Sequence, residues 1–222
     1  MAVFGLNARR GFDPRLGTRS VAQPRSALVA TLRLIVFGTA LGLGMTVAAA
    51  SPAYAGTLIS TKSVAAPLGF DGVCDRYAWA CARSAAARVT GAEAKLRLAD
   101  RVNRAVNGQV REIADERQYR QREYWALPTA RGGDCEDFAL LKKRELIRAG
   151  IAPDNLRIAT VLDRRRQAHA VLVLKTSAGD YVLDNLTTKL KPWDKTGYSF
   201  LRMQDPRSAS GWALVMKGGI FG

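Results

Sequence analysis

The sequence pattern changes at Pro153, and this change limits the kind of fold that the chain can adopt. Before Pro153, apolar residues recur at helical spacing in three segments, of which the clearest is Cys135–Arg148. After Pro153, three short runs have the composition of strands, at residues 156–162, 168–175 and 181–186. Because helices come first and neighbouring strands follow, the sequence predicts one α+β domain with N-terminal helices and an antiparallel sheet.

Two further helices are expected upstream of that clearest segment. Residues 77–89 are rich in alanine, and a second helix is predicted to begin near Gly91 and to break near Asn107-Gly108. In the third helix, Asp134 precedes the first turn as a candidate cap and Gly150 ends the last turn. The sequence therefore predicts three main helices before the sheet.

The first 55 residues have the layout of a secretory signal peptide. Six arginines and one aspartate come before an apolar run at about residues 34–50, and Ala53-Tyr54-Ala55 supplies a small-x-small cleavage site. An uncleaved membrane anchor is the alternative, although a run so rich in Gly and Ala is marginal for spanning a bilayer. We therefore predict a signal peptide at residues 1–55 and a periplasmic domain at residues 56–222.

The predicted domain is strongly basic. The whole chain has a formal net charge of +15, and loss of the six arginines and one aspartate in residues 1–55 leaves +10. A basic exported protein suits an acidic protein, an anionic envelope polymer or a lipid surface as its partner. Nucleic acid is not expected as a partner, because export separates the protein from it and no nucleic-acid motif is present.

The three cysteines of the domain differ in their expected roles. Cys74 and Cys81 would lie roughly 10 Å apart on one continuous helix, which is too far for a disulfide. We therefore predict a local disulfide in the oxidising periplasm, with Cys74 in the loop that precedes the helix carrying Cys81; two buried free thiols are the alternative. If Cys74 and Cys81 pair, Cys135 is left without a partner, as is expected of a reactive thiol.

Three residues have the chemistry of a thiol-based catalytic site. Cys135 begins a predicted helix, whose dipole and free N–H groups would favour a thiolate and stabilise an oxyanion. His169 is the only histidine of the chain. If Lys175 pairs with Asp180 in a hairpin, Asp184 falls on the same face of the sheet as His169. These positions predict a nucleophile, its base and an orienting acid, whereas a buried cysteine and a core histidine are the alternative.

Three acidic residues, Asp134, Glu136 and Asp137, surround Cys135. Acids in the first turn complement the helix dipole, and this role alone would account for them. Negative charge beside a thiol nevertheless raises the pKa of the thiol and opposes formation of the thiolate. A bound Ca²⁺ would remove this conflict, because Ca²⁺ prefers carboxylate oxygens. We therefore predict a calcium site at these three residues.

The residues around these positions resemble the bacterial transglutaminase-like cysteine proteinase family. The similarity lies in residues 133–139 (Gly-Asp-Cys-Glu-Asp-Phe-Ala), in residues 168–172 and in residues 182–186, and it extends over most of the domain. It implies a papain-like, transglutaminase-like cysteine protease fold, and a triad of Cys135, His169 and Asp184. The same resemblance implies calcium-binding acids at Asp134, Glu136 and Asp137, cleavage of a large secreted adhesin, and control by an inner-membrane receptor.

The expected function is thus an exported, calcium-dependent cysteine endopeptidase, monomeric, that cleaves a secreted or surface protein such as an adhesin. A transglutaminase-type acyl transferase stays open, because water and an amine would use the same triad. A non-catalytic, calcium-responsive binding module also stays open, with Cys135 merely buried. Trp125 and Asn107 are candidate oxyanion donors or ordinary packing and turn residues. Three arginines at residues 164–166 would select an acidic substrate segment or form a solvated surface.

Overall fold

The computed structural model describes residues 55–83 and 86–222. Over these ranges the α-helices are α1 (Val73–Arg76), α2 (Ala92–Gln109), α3 (Asp115–Gln118) and α4 (Cys135–Arg148). The strands are β1 (Ser63–Val64), β2 (Leu156–Leu162), β3 (Ala168–Thr176), β4 (Gly179–Leu183), β5 (Lys191–Pro192), β6 (Ser199–Gln204) and β7 (Trp212–Lys217). Short 3₁₀ helices lie at Ala78–Ala80, Pro153–Asn155, Trp193–Lys195 and Gly219–Phe221.

The predicted signal peptide falls almost wholly on residues outside these ranges, which begin at residue 55. Its apolar run at residues 34–50 and its cleavage site up to Tyr54 are therefore not described here. In the part of the chain that is described, no helix is both long and apolar enough to cross a bilayer. The boundary between leader and domain stays a prediction.

In the described chain, seven strands form one antiparallel sheet in the order β1-β7-β6-β2-β3-β4-β5. Helix α4 packs on one face, where Leu140 and Leu146 meet Leu172 of β3. On the other face, Val173 of β3 packs in a second cluster with Phe200. Successive side chains of β3 thus enter two different cores, which explains the apolar run of its sequence.

The α+β prediction is confirmed, and three strands lie close to where they were expected. The hairpin register is also confirmed, since Lys175 pairs with Asp180. The four strands that the sequence did not reveal are β1, β5, β6 and β7. Two of these are only two residues long, which is too short for any periodic signal. Arg202 interrupts the apolar pattern of β6, and the first five residues of β7 are all apolar, so neither strand shows a clear alternation.

The predicted alanine-rich helix from residue 77 is wrong. The chain forms the single turn of α1, then the 3₁₀ turn Ala78–Ala80, because a disulfide between Cys74 and Cys81 holds their Cα atoms 5.4 Å apart. The predicted disulfide is therefore confirmed, with the two cysteines on separate short turns rather than on a loop and a long helix. Helix α2 also continues through Asn107-Gly108 to Gln109, where a break was expected.

At Gly132 and Gly133, the chain before α4 contacts residues 111–113. The Gly133 N–H donates to Arg111 O at 3.1 Å, and the Ile113 N–H donates to Gly133 O at 3.0 Å. Gly132 has a φ of +131°, and a Cβ at this position would lie 2.1 Å from Arg111 O. Only glycine allows this close approach, which brings α3 and its Asp115 beside the N-terminus of α4.

Replacement of Gly132 tests this turn. Gly132→Ala should lower the free energy of unfolding by about 1–3 kcal/mol, because a Cβ would force both a strained φ and a clash with Arg111 O. Urea unfolding followed by tryptophan fluorescence measures the change. Gly108→Ala is the matched control, because a Cβ within α2 meets nothing within 4 Å and should stabilise the helix by about 0.5–1 kcal/mol. Equal stability of Gly132→Ala and wild type would contradict this account.

Candidate active site

Cys135 lies at the first position of α4 and faces the start of β3. Its side chain is half-buried, and its Sγ accepts a hydrogen bond from the Ala170 N–H at 3.3 Å. On its other side, Sγ lies 3.1 Å from Glu136 Oε2. Cys74 and Cys81 are bridged, so Cys135 is the free thiol of the described chain. The helix N-terminus thus presents this thiol next to the residue that follows His169.

His169 and Asp184 form a buried pair beside this thiol. His169 Nε2 lies 2.9 Å from Asp184 Oδ1, and only 8% and 3% of the two residues are exposed. His169 is the second residue of β3, and Asp184 directly follows β4. Because Leu172 pairs with Leu183, Asp184 emerges at the point where it meets the histidine ring. The remaining ring nitrogen, Nδ1, is then the one available for a proton from Cys135.

Asp184 is held by two more donors. The Tyr198 hydroxyl donates to Asp184 Oδ2 at 2.6 Å, and the Leu186 N–H donates to Oδ1 at 3.0 Å. Burial would raise the pKa of Asp184, but the hydrogen bond and charge of His169 and the other two donors lower it below its ordinary value. The Tyr198 ring also packs edge-on against His169, with ring centroids 5.9 Å apart. Asp184 is therefore a fixed carboxylate.

Two asparagines of α2 hold the loop that follows Asp184. Asn107 Nδ2 donates to the backbone oxygen of Asp184 at 2.8 Å and to that of Thr187 at 3.1 Å. One turn earlier, Asn103 Nδ2 donates to the oxygens of Thr187 and Thr188, both at 3.1 Å. The amide of Asn107 is thus occupied in positioning the acid. Its sequence neighbours gave no sign of this role, which depends on contacts 77 residues away.

The acidic residues around Cys135 do not all lie in one cluster. Asp115, Asp134 and Glu136 place carboxylate oxygens within 4.8 Å of one another. Asp137 is not part of this cluster: its Oδ1 accepts the Ala126 N–H at 2.8 Å, and its buried Oδ2 has no hydrogen-bond partner among the described residues. Asp134 occupies the cap position of α4 but makes no capping hydrogen bond, because its Oδ2 accepts the Asp115 N–H at 3.2 Å instead. Asp115 was not foreseen, because only the fold brings α3 to this point.

The electrostatics of this cluster are unfavourable without a cation. Burial first, and also the charge of Asp134, raise the pKa of Asp115 to about 6 and that of Glu136 to about 9. Burial likewise raises the pKa of Asp137 to about 8. The pKa of the Cys135 thiol is raised well above its ordinary value, by burial first and then by the Glu136 carboxylate. The site thus has more buried negative charge than its own donors balance.

Unpaired oxygens show that the cluster fits a hard cation. Asp115 Oδ1, Asp134 Oδ1 and Glu136 Oε1 are buried and accept no hydrogen bond from any described residue. Buried carboxylate oxygens without partners are costly, and Ca²⁺ binds such oxygens directly. The donor set of Asp115, Asp134 and Glu136 therefore suits calcium, with Asp115 in the place that the sequence assigned to Asp137.

A cleft opens over Cys135 and His169. Its volume is about 470 Å³, and its wall includes the acid cluster and the apolar Leu68 and Leu201. Trp125 also lines it, with a buried Nε1 that has no partner among the described residues. The thiol and the imidazole thus share a cavity that is open to a substrate.

Comparison with known families agrees with this arrangement. The sequence model of the bacterial transglutaminase-like cysteine proteinases (BTLCP) matches residues 60–219. The chain belongs to this family. As a BTLCP member it is a cysteine protease, its substrate is a protein, and its α+β fold is that of the transglutaminase-like proteases. No curated protein matches the sequence significantly.

Solved structures of LapG from Legionella pneumophila are also similar to this BTLCP chain. The calcium-bound form is 26% identical, covers 55% of this chain and 70% of its own, and has a TM-score of 0.45. A second LapG structure is 28% identical, covers 56% and 70%, and has a TM-score of 0.45. An EGTA-treated form is 27% identical, covers 55% and 67%, and has a TM-score of 0.46.

The hydroxyl of Tyr198 tests the environment of Asp184 in this BTLCP protein. Tyr198→Phe should lower the free energy of unfolding at neutral pH by about 1–3 kcal/mol, because a buried carboxylate loses a donor. The pKa of Asp184 is lowered in the folded state, so its contribution to stability is present above its ordinary pKa and is lost as the pH falls through the lowered value. The deficit of the variant should therefore shrink in acid.

Urea unfolding at a series of pH values measures this deficit. Tyr181→Phe is the matched control, because Tyr181 is half-buried on neighbouring β4 and its hydroxyl bonds to no other described residue. It should match wild type at every pH. A deficit for Tyr198→Phe that stays constant down to about pH 2, below the ordinary range of an aspartate, would contradict the assignment.

Proposed function

We propose that this protein is an exported, calcium-dependent cysteine endopeptidase that uses Cys135, His169 and Asp184 as its catalytic triad. The observation that carries this proposal is the joint placement of a free thiol at a helix N-terminus and a buried His169–Asp184 pair at one cleft. Such a placement supplies a nucleophile and a base at one substrate bond, and an acid that orients the base.

The proposed reaction proceeds through a thioester. His169 Nδ1 takes the proton of Cys135, and Sγ forms a bond to the peptide carbonyl carbon. Backbone N–H groups at the start of α4 stabilise the resulting oxyanion. The C–N bond then breaks, and the imidazolium gives its proton to the leaving amine. Water attacks the thioester with His169 as base, the C–S bond breaks, and the thiol regains its proton. Asp184 holds the tautomer of the imidazole and stabilises its charged form.

Calcium is the cofactor that the acid cluster supports. Asp115, Asp134 and Glu136 would hold the ion through oxygens that have no other partner in the described chain. When bound, Ca²⁺ would offset the negative charge beside Cys135 and so favour the thiolate. Asp137 would not bind the ion directly in this arrangement. It would support the site by fixing the Ala126 backbone.

Export and substrate belong to the same proposal. The Cys74–Cys81 disulfide supports an oxidising compartment such as the periplasm, to which the predicted signal peptide would direct the chain. The family resemblance supports a large secreted or surface adhesin as the substrate and an inner-membrane receptor as the regulator. We expect the protein to act as a monomer.

Replacement of the thiol tests the catalytic role. Cys135→Ser should lower cleavage of a proteome-derived peptide library in the presence of calcium by about a thousandfold or more, because an alcohol is a far weaker nucleophile in this setting. Mass spectrometry of the new N-termini measures cleavage. Cleavage by Cys135→Ser at the wild-type rate would exclude this thiol as the nucleophile. Incorporation of an added amine at the cleaved carbonyl would instead identify an acyl transferase.

Calcium titration tests the metal site. Wild type should release or absorb heat on calorimetric titration with Ca²⁺, and Asp115→Asn should bind at least about tenfold more weakly, since it loses one ligand charge. Asp137→Asn is the matched control and should bind nearly as wild type, because Asp137 is not among the clustered oxygens. Loss of binding in Asp137→Asn alone would favour the set predicted from sequence. No binding by wild type would exclude the site altogether.

A further inference from the structure

A second cavity lies next to the cleft and is lined by basic residues. Its volume is about 530 Å³, and Asp184 and Tyr198 form part of its wall. Four cationic side chains line it, and we call it the basic cavity: Arg164, Arg165, Lys189 and Lys191. Leu186, which is 54% exposed, adds an apolar surface at its edge. The cavity therefore shares the orienting acid of the proposed triad.

The basic cavity and the cleft are neighbours along two segments of chain. In the turn before β3, Gln167 lines the basic cavity, and Ala168 and His169 line the cleft. In the segment before α3, Glu112 lines the basic cavity and Ala114 lines the cleft. An extended peptide advances about 3.3 Å per residue, so one bound across Cys135 would reach the basic cavity within a few residues.

The wall of the basic cavity has four cations and three acids, Glu112, Asp163 and Asp184, so it keeps a net positive charge. None of its four cations forms an ion pair with another residue in the described chain. Arg164 is positioned by its Nε, which donates to Thr196 O at 2.9 Å. The acids of the wall have other roles, since Asp184 binds His169 and Asp163 Oδ1 accepts the Arg165 and Gln167 N–H groups. Glu112 is the remaining acid and is exposed.

The β2–β3 turn holds its arginines in place beside this cavity. Asp163 N donates to Gln167 O at 2.9 Å, and Arg166 N donates to Asp163 O at 3.0 Å. Arg166 takes a φ of +62° to close the turn. These two hydrogen bonds fix the backbone of the turn at Arg165. Less conformational entropy is therefore lost when Arg165 binds a ligand.

We propose that the basic cavity is a substrate subsite that binds an aspartate or glutamate of the protein substrate, a few residues from the cleaved bond. Arg165 and Lys189 are the specificity-determining residues. The cleft itself is lined by the acid cluster and by apolar side chains, so the two cavities differ in the charge that they would accept. The proposal rests on the endopeptidase function proposed above, and it adds the chemistry of the segment that is cut.

A specificity profile tests the subsite. Wild type, with calcium, should cleave a proteome-derived peptide library with Asp or Glu enriched at one fixed position near the cleaved bond. Synthetic peptides carrying Glu there should be cleaved about five- to tenfold more efficiently than their Gln analogues, as expected for partly exposed charge pairs. This preference should decline with added salt. The double variant Arg165→Glu with Lys189→Glu should lose the preference or reverse it towards Lys and Arg.

The matched control is the double variant Lys62→Glu with Arg101→Glu. These two exposed residues lie outside both cavities, so the variant has the same change of net charge but should keep the acidic preference. Cleavage by wild type without an acidic preference, or a preference that persists in the Arg165 and Lys189 variant, would overturn the subsite and leave the endopeptidase intact. Cleavage that is identical in wild type and Cys135→Ser would overturn both.

Discussion

The pairing of β3 with β4 is the constraint on which the site depends. Side chains of a strand alternate between two faces, so a shift of one residue would place His169 and Asp184 on opposite sides of the sheet. Their contact at 2.9 Å exists because Lys175 faces Asp180 and the register continues to the end of β4. A two-residue turn and cross-strand packing between apolar side chains therefore fix the geometry of a polar pair. The contact between His169 and Asp184 is therefore a consequence of the hairpin register.

A second constraint is the way that α4 is held against the sheet. Lys143 is 2% exposed, and its Nζ donates to Ala80 O and Gln204 Oε1, both at 2.7 Å. Gln204 Oε1 also accepts the Ile158 N–H, so one buried amide joins α4, β2 and β6. Burial lowers the pKa of Lys143 to about 7, which shows that this ammonium is costly to bury. The buried ammonium lies where its hydrogen bonds hold α4, the helix that carries Cys135, in place.

The sequence predicted those parts of the site that depend on local pattern. Cys135, His169 and the hairpin register follow from a helix start, a composition change and strand alternation. Asp115 was not predicted as a site residue, and Asn107 was considered only as an oxyanion donor, because each reaches the site through contacts between segments far apart in the chain. The alanine-rich segment was mistaken for a helix because composition does not show that a disulfide closes a tighter turn.

Two groups of charged side chains border the proposed catalytic residues. Buried carboxylates lie at the N-terminus of α4, and unpaired cations lie in the basic cavity beyond Asp184. The overall charge of +15 says nothing about these two groups, because a net charge does not record where charges lie. The field at the thiol depends on the near charges, and these are acidic. A cation at the cluster would therefore relieve a charge imbalance next to Cys135, and an anion in the basic cavity would relieve one beside Asp184.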